Sequence, residues 1–571
     1  MRTKIAMSRS ASVTWRRALP LLVAGLMLFG ACQKKPAPAN TLSATPDTIG
    51  VLKLMPESAV VAVAIPSVEK AEQQIQALLK RGAPEGVDMD AEITVVTSQM
   101  ARSANAFEAK SVADIAAIKG LDPERPLAVF IGARKEGETP PSPPGQLEFE
   151  RQILSYVGFN SIAPMVAVFP YKKRQEAEKF VAEWSGPGAT KATDLAEPKT
   201  TIQTKEDGSF AYLFTNDTLV AGTSVEMVQG VAERMKTPAS VRYGTPECPA
   251  DSADEIVQLV RTDKIPDTPS SSTASLVDAA SNPRAAAWQL WNGWIQSHDS
   301  SEPMVITWGF KDDHLTVRSR LLNAAQPDAA AKPASPAPLL HLNTLPKSTL
   351  GVWTMQITPQ TRETLKTSGS AGLQQQGGAV AQMGQSFDKI IDLVGNEATI
   401  AITGPGSDAS KIALLVEFTD GDTARETLRS LGFMPIKAET YNNVDIFSFV
   451  FPPVSVYYAV AKNTFVMAGT LDSVKMFIDA ISQGKPTSFA SSLNPPFDTA
   501  TPRQQAFIAK RDLFTSAMLP ALEGYGTVSK TQVDYTTKAL EKVRDARMTT
   551  ETMKDWQDTR LIVQFESAAK S

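Results

Sequence analysis

Asn216-Asp217-Thr218-Leu219-Val220-Ala221-Gly222-Thr223 and Asn463-Thr464-Phe465-Val466-Met467-Ala468-Gly469-Thr470 share one pattern. Each reads as a strand, then a small-residue corner at Ala-Gly-Thr, then a helix over Val225 to Met235 or Leu471 to Ile481. A pattern that recurs with its neighbours intact is the signature of a duplicated domain.

The neighbours do recur. Upstream, Met165 to Phe169 and Leu414 to Phe418 are short apolar runs bounded by turn residues. Each precedes a charged helical stretch, Lys172 to Trp184 and Asp422 to Leu431. Phe169 and Gly222 are 53 residues apart, and Phe418 and Gly469 are 51 apart, so the sequence predicts that Phe169 matches Phe418 and Gly222 matches Gly469. Further back, Leu127 to Gly132 pairs with Thr399 to Gly404, each after a short helix ending in glycine. The first of these helices has Ser111 and Asp114 as a capping box and stops at Gly120. The second has Phe387, Ile390, Ile391 and Val394 at helical spacing and stops at Gly395. Leu54-Met55-Pro56-Glu57-Ser58 before Ala59 to Ile65 matches Leu345-Pro346-Lys347-Ser348 before Thr349 to Ile357. The ends match too: helices Ala286 to Gln296 and Thr536 to Arg547 precede the terminal segments Met304 to Leu321 and Thr559 to Phe565.

The fold this predicts is α+β, as two tandem copies of a mainly antiparallel sheet covered by amphipathic helices. The copies span 48–323 and 339–571, joined by an Ala/Pro-rich linker at 324–338. The helix after Ile65 carries Val68, Ala71, Ile75, Leu78 and Leu79 on one side, with Glu69, Lys70, Glu72, Gln73 and Lys80 elsewhere. The first copy has an excursion after Gly132 that contains Pro140, Pro141, Pro143 and Pro144. Proline blocks regular pairing, so this reads as a surface loop, either a tolerated insertion or a binding loop. The layout resembles duplicated periplasmic or surface domains of bacterial lipoproteins.

The N-terminus carries Arg2, Lys4, Arg9, Arg16 and Arg17, then an apolar run from Ala18 to Phe29, then Gly30-Ala31-Cys32. This order resembles a bacterial lipoprotein signal peptide over 1–31. The resemblance implies a lipidated, palmitate-bearing Cys32 as the first mature residue. Gln33, where aspartate would retain the protein at the inner membrane, implies the outer membrane. Residues 32–47, with Pro36-Ala37-Pro38-Ala39, then form a tether. An uncleaved anchor is the alternative, but the apolar run is shorter than the roughly 20 residues that span a bilayer.

The formal net charge is −4, and removing a leader with five basic and no acidic residues takes it to −9. A moderately acidic body is a poor partner for nucleic acid. There are two cysteines, so with lipid on Cys32 the second, Cys248, has no internal disulfide partner.

Motifs that carry chemistry are sparse. Ser67-Val68-Glu69-Lys70 has the serine–lysine spacing of penicillin-binding enzymes, yet Ser482-Gln483-Gly484-Lys485 has it too, and Ser67 reads as a helix N-cap. His298, His314 and His341 stand apart from one another, which fits neither a zinc pair nor a triad. His314 reads as part of a hairpin turn. Gly404-Pro405-Gly406 lacks the lysine of a phosphate loop, and Asp420-Gly421-Asp422 and Asp88-Met89-Asp90 read as turns or caps. No cofactor is implied. Trp288, Trp291 and Trp294 line one helix face, which serves either as core or as a binding surface for a protein or sugar.

Three functions compete. The first is a non-enzymatic lipoprotein, anchored in the envelope by its lipid, that binds a protein partner or acts as a scaffold. The second is a binding module for an apolar or glycan ligand. The third is a hydrolase whose residues are scattered along the chain.

Overall fold

Ala59–Ile65, a run of alanine, valine and isoleucine, is almost wholly buried and forms the first strand, β1. A strand with no polar face belongs in the middle of a sheet, and β1 is flanked on both sides. In this computed structural model the described residues are 48–81, 88–132, 164–195, 200–236, 256–261, 304–311, 313–322, 337–359, 361–363, 366, 388–404, 411–430, 436–451, 454–483, 488–520, 534, 537–538, 540–552 and 556–566. They form helices and antiparallel sheet, an α+β architecture, in two compact units that part between Ala324 and Ala325.

The first unit adds β2 (Leu127–Gly132), β3 (Met165–Pro170), β4 (Thr190–Leu195), β5 (Thr200–Lys205), β6 (Ala211–Phe214), β7 (Thr218–Gly222), β8 (Ile256–Val260), β9 (Met304–Phe310) and β10 (His314–Leu322). They pair antiparallel in the order β10-β9-β8-β1-β2-β3-β7-β6-β5-β4. The second unit holds β11 (Gly351–Gln356), β12 (Val394–Ile402), β13 (Ile412–Phe418), β14 (Ile436–Tyr441), β15 (Val444–Phe451), β16 (Val454–Ala461), β17 (Thr464–Ala468), β18 (Gln505–Lys510), β19 (Val543–Thr552) and β20 (Trp556–Phe565). Its antiparallel order is β20-β19-β18-β11-β12-β13-β17-β16-β15-β14. Strand for strand, this is the order of the first unit.

Helices join the strands. In the first unit these are α1 (Thr48–Leu52), α2 (Val68–Arg81), α3 (Met89–Ser103), α4 (Val112–Ile118), α5 (Arg174–Ser185) and α6 (Val225–Lys236). The second unit has α7 (Gly421–Ser430), α8 (Leu471–Gln483) and α9 (Phe489–Ser492). On α2 the stripe is Ala71, Ile75 and Leu79, as its spacing predicts, but Glu72 is buried with it. That carboxylate accepts the Val112 and Ala113 amides at 2.8 and 3.0 Å, satisfying the first turn of α4. Ser111 Oγ accepts the Asp114 amide at 2.9 Å, and Asp114 reaches back to the Lys110 amide at 2.9 Å. The capping pair is real, offset by one residue from the reciprocal box.

Local details repeat between the units. Pro56 O accepts the Ala59 amide at 3.1 Å, and Pro346 O accepts that of Thr349 at 3.0 Å. Arg261 donates to Glu57 O at 3.0 Å where Lys510 donates to Lys347 O at 2.8 Å. Tyr171 N bonds Asp217 O as Phe418 N bonds Asn463 O.

These pairings correct the expected alignment. Phe169 lies opposite Leu219 inside its ladder, whereas Phe418 sits at a strand end beside Asn463. Helices α5 and α7 begin three residues after Tyr171 and Phe418, and α6 and α8 begin three after Gly222 and Ala468. Tyr171 therefore corresponds to Phe418, and Gly222 to Ala468. The shared Ala-Gly-Thr letters mislead by one residue, and one residue turns a side chain to the other face of a strand.

Other expectations change too. Val543–Thr552 is a strand, not the end of a helix from Thr536 to Arg547. Its alternation, with Val543, Asp545 and Arg547 buried, is that of a strand, and it is held by β18 and β20. The helix expected up to Gly395 stops at residue 393, and Val394 opens β12 through a bulge. A Cβ at Gly395 would lie 2.7 Å from Glu417 Cγ, so that side chain would have to shift to admit one. The end of the expected linker belongs to the second unit, since Ala337 bridges to Arg503.

Candidate functional site

Most residues singled out in the sequence lie outside the described residues: Cys32, Cys248, Trp288, Trp291, Trp294, Pro140, Pro141, Pro143 and Pro144. The linker at 324–336 and the leader and tether before Thr48 do so as well. Ser67 is described, and it is a cap: its hydroxyl accepts the Lys70 amide at 3.2 Å and donates to Pro123 O at 3.0 Å. Asp88 accepts the Ala91 amide, and Asp420 accepts those of Asp422 and Thr423. His314 opens β10, with Nδ1 2.6 Å from Asp313 Oδ1. Among the described residues, no group of three or more His, Cys, Asp or Glu is placed to hold a metal, and no helix is long and apolar enough to cross a membrane.

The structure brings forward a surface that no motif marks. In the second unit, Trp353 on β11 lies opposite Phe507 on β18 and Ile400 on β12. Ile400 faces Leu414 on β13, and Leu414 faces Met467 on β17. The row crosses five strands. Trp353 is 41% exposed, Ile400 39% and Ile412 46%. The alternate residues Val352, Ala401, Ala413, Leu415, Ala506 and Ile508 point the other way, into a core closed by Val474, Phe477, Ile478 and Ile481 of α8. The face is closed at both ends: Ala424 and Leu428 of α7 meet Phe418 and Val416, with Ile390, Ile391 and Leu393 beside Ala398, and Leu513 and Phe514 meet Phe507 and Ile402.

The corresponding row in the first unit is Gln258, Val63, Val129, Ala167 and Ala221. Its residues are smaller, and Val63, Ala167 and Gln258 are buried. Val63 packs with Ala71 of α2, Ile65, Ile131 and Ile256. Among the described residues, this face thus meets Ala71 of α2 in the first unit and bears the exposed Trp353, Ile400 and Ile412 in the second.

A second feature was also missed: a buried polar cluster in the second unit. Glu397 on β12 and His341 are each about 95% buried. The Glu397 carboxyl accepts the Leu340 amide at 2.7 Å, the His341 amide at 3.0 Å and the Thr354 hydroxyl at 2.8 Å. The Thr399 hydroxyl donates to Thr354 Oγ1 at 2.7 Å and lies 3.0 Å from His341 Nδ1. Burial pushes Glu397 up to about 7, against the pull of these hydrogen bonds, and burial pushes His341 down to about 4. All of these groups face inward among core residues, so the cluster binds the segment around His341 to the sheet instead of offering a carboxyl to a substrate. Alternation could have shown it. Glu397, Thr399 and Ala401 share one face once the strand is started at Val394.

No protein-family model matches this chain, and no curated protein matches it. Among solved structures it is similar to TP0453, a Treponema protein, in two crystal forms. With form III the identity is 8% and the TM-score 0.26, covering 42% of this chain and 83% of that one. With form I the identity is 11% and the TM-score 0.23, covering 51% of this chain and 82% of that one. Likeness at this level decides neither fold nor function.

Proposed function

We propose that this chain is a lipid-anchored envelope protein, two diverged copies of one ten-stranded domain, that works by binding a protein partner. The observation that carries the binding reading is the row Trp353–Ile400–Leu414 with Ile412 beside it. Contiguous exposed apolar surface of this kind marks interaction sites, and tryptophan is a frequent anchor in them. The partner element is an amphipathic helix, because in the first unit the same face meets one, α2. The shared strand order, the matched proline turns and the matched helix starts support common descent of the units. Among the described residues, the hydrolase alternative has Glu397 as a carboxyl with a strongly raised pKa, and its oxygens are engaged by Leu340, His341 and Thr354.

Anchoring rests on the leader and on Cys32. Cys32→Ser is expected to abolish incorporation of labelled fatty acid and to leave the precursor unprocessed. Stable attachment needs more than one acyl chain, so the variant should also leave the membrane fraction. Normal lipid labelling of Cys32→Ser would remove anchoring from this proposal and leave the binding face untouched.

A further inference from the structure

In water, a histidine and a glutamate at mildly acidic pH are imidazolium and carboxylate. The cluster around Glu397 is built for neither. Among the described residues, His341 Nε2 is buried without a hydrogen-bond partner. An imidazolium would place a proton there with nothing to accept it, at a cost of about 1–3 kcal/mol or more for a charged group. The ring is therefore neutral, its one proton on Nδ1, where Thr399 Oγ1 accepts it at 3.0 Å.

The hydroxyls then settle the rest. With Nδ1–H donating to Thr399, and Thr399 donating to Thr354, Thr354 Oγ1 keeps one lone pair and one rotatable proton. A protonated Glu397 can donate to that lone pair across 2.8 Å, while the Thr354 proton turns to Ala398 O at 3.3 Å. A neutral carboxyl is thus accommodated without losing a bond. An ionised one would keep the Leu340 and His341 amide donors but would sit buried without a cation beside it among the described residues. Among the described residues, the His341 ring, 3.9 Å away, is the basic group within 4 Å of its oxygens. Glu417 on β13 adds repulsion. Arg362 spends its guanidinium on Gly395 O and Asn396 Oδ1. Asp498 and Arg503, on the turn that packs against Asn343 and Ala337, are engaged with that turn.

We propose that His341 and Glu397 form a proton-compensating pair: as the second unit folds, the imidazolium releases its Nε2 proton to water and the carboxylate takes one proton from water. The number of bound protons is then the same before and after folding, and the stability of this cluster does not vary with pH while both groups would be charged in the open chain.

The window follows from the two shifts. Glu397 is raised in the folded state, so its contribution is full below its ordinary 4.5 and is lost as pH rises toward about 7. His341 is lowered, so its contribution is full above its ordinary 6.5 and is lost as pH falls toward about 4. Between 4.5 and 6.5 the two slopes oppose each other.

Hydrogen exchange at the Leu340 and His341 amides of the full chain, corrected for the intrinsic pH dependence of exchange, tests this. Wild-type protection should stay level from pH 4.5 to 6.5. In Glu397→Gln it should fall about ten-fold per unit as pH decreases, and in His341→Gln about ten-fold per unit as pH increases, one proton being unbalanced in each. A wild-type slope of that size, or single variants as level as the wild type, overturns the pairing. If a variant does not fold, the wild type still decides. With three histidines in the chain, the ring nitrogen resonances of His341 at about pH 5.5 should report a neutral ring protonated on Nδ1. An imidazolium there refutes the proposal.

Discussion

Phe477→Ala is expected to cost the second unit about 3–5 kcal/mol. Phe477 is fully buried on α8 and is among the largest side chains of the core that closes over Val466, Ala468 and Ala459. Its neighbours Val474, Ile478 and Ile481 are fixed on the same helix, and the floor is a pleated sheet, so the surroundings have little room to collapse into the space left. The loss combines transfer of the ring to water with the cavity that remains. Urea denaturation should show the second unit melting earlier and the first unit unchanged, since each has its own core. A loss under about 1 kcal/mol would mean that α8 is not seated where the structure puts it.

Gly120→Ala should have the next largest effect, of about 2–5 kcal/mol on the first unit. Gly120 ends α4 at φ +78°, a conformation that costs an alanine roughly 1–2 kcal/mol. Its carbonyl accepts the Lys172 and Lys173 amides, so it also fastens the start of α5. A Cβ there would lie 2.4 Å from Lys173 O and 2.7 Å from Ala177 N, both backbone atoms that cannot swing aside. Gly208 separates the two terms. It has φ +70° and nothing within 4 Å of a Cβ, so Gly208→Ala should lose only the backbone contribution, roughly 1–2 kcal/mol. Equal losses for the two variants would show that the close approach at Gly120 is absent.

The architecture was legible in the sequence to a useful depth. Strand runs, the helices after Ile65, Gly222 and Gly469, and the proline turns at Pro56 and Pro346 stand where composition and periodicity place them, because each rests on local chemistry. The alignment of the halves slipped because Ala-Gly-Thr recurs as letters, whereas register is set by the ladder opposite. The Thr536 to Arg547 helix failed for a related reason: a polar strand such as Val543–Thr552 lacks an apolar run, and its pairing partners are distant in sequence. The exposed face was invisible for a third reason. Trp353, Ile400, Ile412 and Leu414 each look like ordinary strand residues. Only the sheet order brings them into one patch. Glu397 and His341 are likewise 56 residues apart in the chain and adjacent only in the fold.

The comparison between the units also gives the sharpest test of function. Positions 63 and 353 correspond, one beneath α2 and one open to solvent. A photo-crosslinking amino acid placed at each position in the lipidated, full-length protein within its own envelope would report what touches that face. The account predicts a discrete adduct between position 353 and a second protein, and none from position 63. Absence of any adduct at 353, or capture only of this chain's own residues there, would contradict the binding reading.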